Sequence, residues 1–186
     1  MNESEAIVRC LRGEAQGQVW VMRTYKHLVH TVCMRVLRHR EDAEEATQDA
    51  FVKAFQNLAA FQGGSKLGTW LYSIAYRTAL SKLRSRKPTT STTDEVPTQF
   101  LAVPGEDRTE ALDRKRALDL ALAELPEEDS TIVTLFYLHE QSVEEIVTIT
   151  GLTASNVKVK LHRSRKRMHA TLQNLLKTEL WTIHEP

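Results

Sequence analysis

The residue types and spacing best suited to chemistry lie near the C-terminus. Ser155, Val159, His162, Arg163 and Lys166 recur at intervals of three and four, so on a helix they share one face. Val157, Leu161, Met168, Leu172 and Leu175 take the opposite face, which is therefore the core side. The polar face suits a DNA major groove. The planar fork of Arg163 can donate two hydrogen bonds to a guanine edge, Val159 can meet a thymine methyl, and Ser155 can reach a base or a phosphate. Asn156 precedes this run, and Lys158 and Lys160 flank the face as point charges suited to phosphates. A merely solvated basic helix would leave the valine among the bases unexplained.

The preceding residues supply the element that positions this helix. Ser142-Val-Glu-Glu145 has the capping-box pattern and opens a short helix carrying Ile146, Val147 and Ile149. Gly151 turns the chain, and Thr153 is placed to cap the long helix from Ala154. Two helices joined this way form a helix-turn-helix. Upstream, a helix from about Glu110 to Leu125 ends at Pro126, and Glu127 opens another with Ile132, Val133, Leu135 and Phe136 inward.

A second constellation occupies the N-terminal half. The glycines of Gln62-Gly-Gly-Ser-Lys-Leu-Gly68 predict a loop, after which Thr69 is expected to cap a helix running to about Lys87. On it Trp70, Tyr72 and Tyr76 are interleaved with Arg77, Lys82, Arg84, Arg86 and Lys87, with no acid among them. Basic groups neutralise phosphates and aromatic rings accept unstacked bases, so this helix suits nucleic acid, single-stranded at one end. Aromatics in the core beside a solubilising basic end would read the same way. Leu71, Ile74, Ala75, Thr78 and Leu83 are expected inward.

An acidic helix precedes it, with Asp42 as the expected cap and Ala43, Ala46, Ala50, Phe51, Ala54, Phe55 and Leu58 on the core face. Glu45, Gln48, Asp49, Val52 and Gln56 fall on the other face, an acidic stripe with one aliphatic residue in it. Such a stripe can dock on a basic partner helix; a solvated face has the same spacing. Still earlier, Ile7, Val8 and Leu11 begin a helical pattern that resumes from Trp20 to Leu37, and Gly13 and Gly17 are expected to mark the break.

The charges are segregated although they nearly cancel, at 25 bases and 24 acids. Residues 41–60 hold five acids against one base, and residues 61–88 six bases and no acid. Residues 109–145 then hold ten acids against three bases, and residues 146–177 seven bases and no acid. The repeated order implies two helical modules, each pairing an acidic surface with a basic one. Residues 88–108, with their prolines and hydroxyl and acidic side chains, are expected to form a flexible linker, with Phe100 and Leu101 as a small apolar island. The expected fold is all-α: two small helical domains, residues 1–87 and 109–186, that move independently and can shield each other's charges. Only 12 Gly and Pro residues in 186 oppose a turn-rich β fold.

Other classes fit less well. No apolar run is long enough to span a bilayer and the start Asn2-Glu3-Ser4-Glu5 is the wrong flank for a signal peptide, so a cytoplasmic protein without membrane insertion is expected. Cys10 and Cys33 cannot make a disulfide framework or a zinc site of the usual spacing. An enzyme is not expected: there is no Gly-rich phosphate loop, and no carboxylate convincingly shares the face of His27 and His30 to complete a metal site. No cofactor or metal is expected. A helix-turn-helix regulator that never joins a polymerase would explain the C-terminal module but not the acidic stripe or the aromatic-basic helix.

Five segments together carry a family resemblance. Asp42-Ala-Glu-Glu-Ala-Thr-Gln-Asp-Ala-Phe51, Thr69-Trp-Leu71, Ala123-Glu-Leu-Pro126, Glu144-Glu-Ile146 and Asn156-Val-Lys-Val-Lys-Leu-His-Arg163 resemble bacterial extracytoplasmic-function (ECF) sigma factors in order and spacing, over residues from about 7 to 172. The resemblance implies sigma domain 2, a linker and sigma domain 4, and hence a promoter-specificity subunit of RNA polymerase. It implies that Glu45, Gln48, Asp49 and Val52 grip the clamp helices of the β′ subunit, and that the β flap and an anti-sigma factor are further partners. The loop with Phe61, Gln62, Ser65 and Lys66, and the helix with Trp70, Tyr72, Tyr76, Arg77 and Arg84, match the part that opens the minus-10 element and captures a flipped base. Ser155, Asn156, Lys158, Val159, Lys160, His162, Arg163 and Lys166 match the minus-35 reader. Gly68 stands where a basic residue is common, and Arg77 and Ser81 where Asn and Asp are common, so the minus-10 base preference does not carry over.

Overall fold

A computed structural model describes the backbone of residues 1–85 and 108–182, and side chains for residues 1–85 and 114–175. The linker expected at 88–108, the Phe100–Leu101 island and the tail Leu180-Trp-Thr-Ile183 lie outside the residues whose side chains are described.

The first module is built from α1 (Glu3–Leu11), α2 (Ala15–Leu37), α3 (Arg40–Gln56), a single 3-10 turn (Leu58–Ala60) and α4 (Leu67–Ser85). Asn2 caps α1 by accepting from the Glu5 amide at 2.8 Å, and Gly13, at φ 75°, breaks the chain before α2. Gly17 is not part of that break. It lies inside α2, where an added Cβ would come within 2.7 Å of the Ala6 carbonyl oxygen, so its role is close packing of α1 on α2. α3 also starts earlier than its charge pattern predicts. Arg38 adopts a left-handed conformation (φ 52°) that ends α2 sharply, and His39 becomes the cap, accepting from the Asp42 amide at 3.4 Å. Asp42 therefore sits in the first turn of α3, where its charge complements the amide dipoles.

The second module contains α5 (Arg108–Ala123), α6 (Glu127–Val133), which continues into a π-helical turn (Thr134–Leu138), α7 (Val143–Thr150) and α8 (Ala154–Thr182). The capping box is present in both directions: the Glu145 amide donates to Ser142 Oγ at 3.1 Å, and the Ser142 amide to Glu145 Oε2 at 2.8 Å. Gly151 takes the left-handed conformation (φ 77°) and its amide closes onto the Val147 carbonyl at 2.8 Å. Thr153 accepts from the Asn156 amide at 3.3 Å, opening α8. Each local signal thus points to the same helix-turn-helix, the consistency expected of a sequence that specifies one structure.

The cores contain the faces the spacing predicts. Ala43, Ala46, Ala50, Phe51 and Ala54 are buried on α3, and Ile132, Leu135, Ile146, Ile149, Val157 and Leu161 in the second module. The two modules are not apart, however. α4 packs along α7 and α2 against α6, so the buried apolar residues of both halves form one continuous cluster. In this arrangement the modules lie against each other, and Lys66 of the first pairs with Glu145 of the second at 3.0 Å. Thr69, Tyr72 and Tyr76 on α4 are buried on the side where the second module packs, α7 being its main partner there.

Candidate nucleic-acid interface

The α8 face stands open. Ser155, Asn156, Lys158, Val159, His162, Arg163 and Lys166 are exposed, with Val159 43% accessible, whereas Val157 and Leu161 beneath them are buried. Lys160 departs from this group. Its ammonium lies 2.6 Å from Asp129 Oδ1 and 2.8 Å from Glu128 Oε2, both on α6. Burial disfavours its charge, but the two carboxylates outweigh that and its pKa is raised. In this geometry Lys160 fastens the reading helix to its own module.

The α3 stripe is equally open: Glu45, Gln48, Asp49, Val52 and Gln56 are all exposed, Val52 by 53%. Beside it runs an open groove of about 810 Å³ between α2 and α3, lined by Met22, Arg23, Lys26, His27, His30, Glu44, Thr47, Gln48 and Phe51. Gln48 belongs to both, so the acidic stripe forms one bank of a groove whose other bank is basic. His27 and His30 thus line this groove, and burial holds the His30 pKa below its usual value. Among the described residues no group of three metal-ligating side chains occurs.

The minus-10 candidates divide. Phe61 and Trp70 pack together with ring centroids 5.3 Å apart, and Gln62, Lys66, Arg77 and Arg84 are exposed, with Ser65 half-buried. Trp70 and Arg77 also line a recess of about 370 Å³ with Lys53, Asn57, Ala60, Ile74 and Thr78. It is open to solvent, with an aromatic wall and cationic rims, features that suit an unstacked base and its phosphate. Lys53 and Asn57 were missed in the sequence; the signal available was that Lys53 is the one base within the acidic stretch 41–60.

Tyr72 and Tyr76 behave differently from the surface aromatics predicted. Each is only 3% exposed, and burial pushes both phenols up to about 12, Glu128 of the second module adding to the shift at Tyr76. No base can stack on them in this arrangement. They occupy the side of α4 that meets α6 and α7, whereas Trp70 and Arg77 occupy the side that faces α3. Thr69 is similarly diverted: with α4 beginning at Leu67, it lies in the first turn and its Oγ1 is 3.2 Å from Gln141 Oε1. Gly68 has a steric reason to lack a side chain, because a Cβ there would approach Tyr25 to 3.1 Å and the Tyr72 hydroxyl to 3.5 Å.

Comparison with known proteins agrees with this division into modules. The description "Sigma-70 region 2" matches residues 21–89 and "Sigma-70, region 4" residues 115–168. The chain is 28% identical over 174 residues to the ECF RNA polymerase sigma factor SigW of Bacillus subtilis, covering 88% of this chain and 93% of that protein. It is 31% identical over 154 residues to the sigma factor YlaC of the same organism, covering 77% of this chain and 84% of the relative. In fold it is similar to CnrH in complex with the cytosolic domain of CnrY (TM-score 0.65, 16% identity, 91% of this chain and 96% of that one). A similar fold occurs in the sigma factor RpoE of Bartonella quintana in complex with the anti-sigma factor NepR (TM-score 0.63, 23% identity, 85% and 95%). The chain belongs to the sigma-70 family of RNA polymerase sigma factors, in the ECF group. It is accordingly a transcription-initiation factor that acts with core RNA polymerase on promoter DNA.

Proposed function

We propose that the three exposed surfaces divide the work of initiation. Glu45, Gln48, Asp49 and Val52, with the adjoining groove, seat core polymerase through the β′ clamp helices. Phe61, Gln62, Ser65, Lys66, Trp70, Arg77 and Arg84, joined by Lys53 and Asn57, hold the opened minus-10 strand. Ser155, Asn156, Lys158, Val159, His162, Arg163 and Lys166 read the minus-35 duplex. The observation that carries this reading is the segregation of charge onto two open helix faces, the acidic stripe of α3 and the basic face of α8, both exposed among the described residues.

The chain contributes binding and positioning, and the polymerase contributes the chemistry. It acts in the cytoplasm; among the described residues no helix is long and apolar enough to cross a membrane. An anti-sigma factor that covers both modules is the regulator we infer, supported by the complexes in which similar folds occur. Reconstituted transcription tests the assignment. Core polymerase with this protein should start at discrete promoters, and Trp70→Ala or Arg77→Ala should abolish opening without preventing assembly with core. Unaltered promoter opening by both variants would refute the minus-10 assignment.

A further inference from the structure

The loop that leads into α4 has little packing of its own. An added Cβ at Gly63 or Gly64 would meet nothing within 4 Å, and Gln62 and Lys66 are exposed. Its course is therefore set by what holds its two ends. At the entry, α1 lies against the 3-10 turn Leu58–Ala60, in which Leu58 is buried and Ala60 lines the recess beside Trp70. Phe61 then packs on Trp70, with ring centroids 5.3 Å apart.

At the exit stands Gly68, buried in the first turn of α4. The space its side chain would occupy is taken by a ring of α2. An added Cβ would lie 3.1 Å from Tyr25 Cε1, closer than carbon atoms pack without displacement, and 3.5 Å from the Tyr72 hydroxyl. Tyr25 is half-buried, and its hydroxyl donates to the Glu3 carboxylate on α1. Burial raises the pKa of the phenol well above its ordinary value, and the bond to Glu3 raises it further, so the hydroxyl keeps its proton and remains a donor. The ring is thus held on Gly68 at one edge and tied to α1 at the other. Neither Tyr25 nor Glu3 belongs to the acidic stripe, the recess or the α8 face.

We propose that Tyr25, oriented by Glu3, is a positioning residue for the minus-10 loop. It holds the exit of the loop while α1 holds the entry, so residues 61–66 stand beside the recess before DNA arrives. A loop ordered in advance removes part of the ordering cost from the capture of an unstacked base. The same contact accounts for the glycine at 68, where a basic side chain has no room beside Tyr25. The use of the loop rests on the minus-10 reading given above; its anchoring by Tyr25 does not.

Gly68→Ala gives a test whose sign depends on the contact. Alanine is favoured over glycine within a helix wherever there is room for it. With Tyr25 present, Gly68→Ala should lower promoter opening by the reconstituted holoenzyme about threefold, because the ring must shift to admit the methyl group. In a Tyr25→Ala background the same change should cost nothing or improve opening. Tyr25→Ala alone should slow opening about tenfold, as misplacement of reacting groups does, and flatten the ranking of single-base minus-10 variants. Permanganate reactivity of minus-10 thymines reads both effects. Tyr25→Phe, which keeps the ring, should recover most of the loss, and Glu3→Ala should match Tyr25→Phe. Assembly with core and binding to minus-35 duplex should be unchanged throughout. Amide hydrogen exchange of residues 70–72 in the full chain reads the anchoring without DNA, because the Trp70 amide bonds to the Lys66 carbonyl at 3.1 Å. It should rise in Tyr25→Ala and return towards wild type in Tyr25→Phe, while peptides from the α3 core stay as they were. Unchanged exchange in Tyr25→Ala, or a Gly68→Ala effect that is the same in both backgrounds, would overturn the proposal. So would normal opening by Tyr25→Ala under conditions in which Trp70→Ala opens nothing. Exchange that rises as expected, with normal opening by the Trp70→Ala, Arg77→Ala and Tyr25→Ala variants alike, would instead refute the minus-10 reading and leave the anchoring standing.

Discussion

Lys160 of the reading helix holds its Nζ 2.6 Å from Asp129 Oδ1 on α6, and this contact separates it from Lys158 two residues earlier, which is exposed. Equal charge and near-equal position in the sequence conceal different roles. Lys160→Ala should chiefly lower the stability of the second module, by about 1 kcal/mol for a partly exposed pair. Lys158→Ala should leave stability alone and reduce the salt dependence of duplex binding by about one unit of slope, as one lost phosphate contact requires. Thermal unfolding and fluorescence binding across a salt series distinguish the two. A salt slope that falls for Lys160→Ala and not for Lys158→Ala would reverse the assignment.

Local signals carried most of the fold. The capping box at Ser142, the turn at Gly151 and the alanine face of α3 each depend on residues within one or two helical turns, so periodicity and cap chemistry suffice to locate them. Two misreadings are local, the cap of α3 at His39 and the start of α4 at Leu67, and the others involve partners distant in sequence. Gly17 looks like a break until α1 is seen against it. Tyr72 and Tyr76 look like exposed stacking platforms because a helix has more than one apolar face, and the choice between them rests on a module more than fifty residues away. The role of Lys160 likewise depends on Asp129, 31 residues back. The α3 stripe and the α8 face were legible as exposed faces for the opposite reason: Val52 and Val159 stay about half exposed among the described residues, and their spacing is the whole signal.

Polymerase attachment and DNA reading should be separable, because they use surfaces of opposite sign on different helices. Gln48 and Asp49 are exposed and lie off the buried alanine face, so Gln48→Arg with Asp49→Arg should leave folding intact. Core binding should weaken by at least tenfold, through charge reversal at a steered interface, while the minus-35 affinity of the isolated protein stays as it was. A folded double variant with wild-type affinity for core polymerase would remove the stripe from the interface.

Arg163 should carry base specificity. Its side chain is exposed on the face opposite Val157 and Leu161, and its guanidinium can engage two acceptors of one base together. Arg163→Ala should cost about 1–3 kcal/mol at the preferred minus-35 sequence and relax preference at one base pair. Binding to a panel of single-base variants measures this directly. A uniform loss across the panel would mean that Arg163 contacts phosphate.

His139 gives the packing of the two modules, the closed form below, a pH dependence. Burial is the main force pushing its pKa down to about 4 from 6.5, with the positive charges of His27 and Arg35 on α2 adding to it. Tyr72 of α4 faces its ring, and Asp119 of α5 lines the same cavity of about 120 Å³ between the modules. Both imidazole nitrogens are buried without a protein partner, so the ring is accommodated only as a neutral group. The sign follows from which state binds the proton first. Above about pH 6.5 both the closed and the unfolded forms hold a neutral imidazole and the full stability is present. As pH falls below that value the unfolded or opened form takes up the proton while the closed form does not, and stability declines until the closed form also titrates near pH 4. One proton limits the slope to about 1.4 kcal/mol per pH unit, and partial solvent access to the ring makes the observed slope smaller. Urea unfolding of wild type and His139→Gln between pH 7 and pH 4.5 isolates this contribution from the carboxylates common to both proteins. The difference between the two should shift in favour of the variant as pH falls, and protection of residues 139–150 should weaken in parallel in the wild type alone. A difference that stays constant across this range would show that His139 is not a proton-sensitive part of the interface.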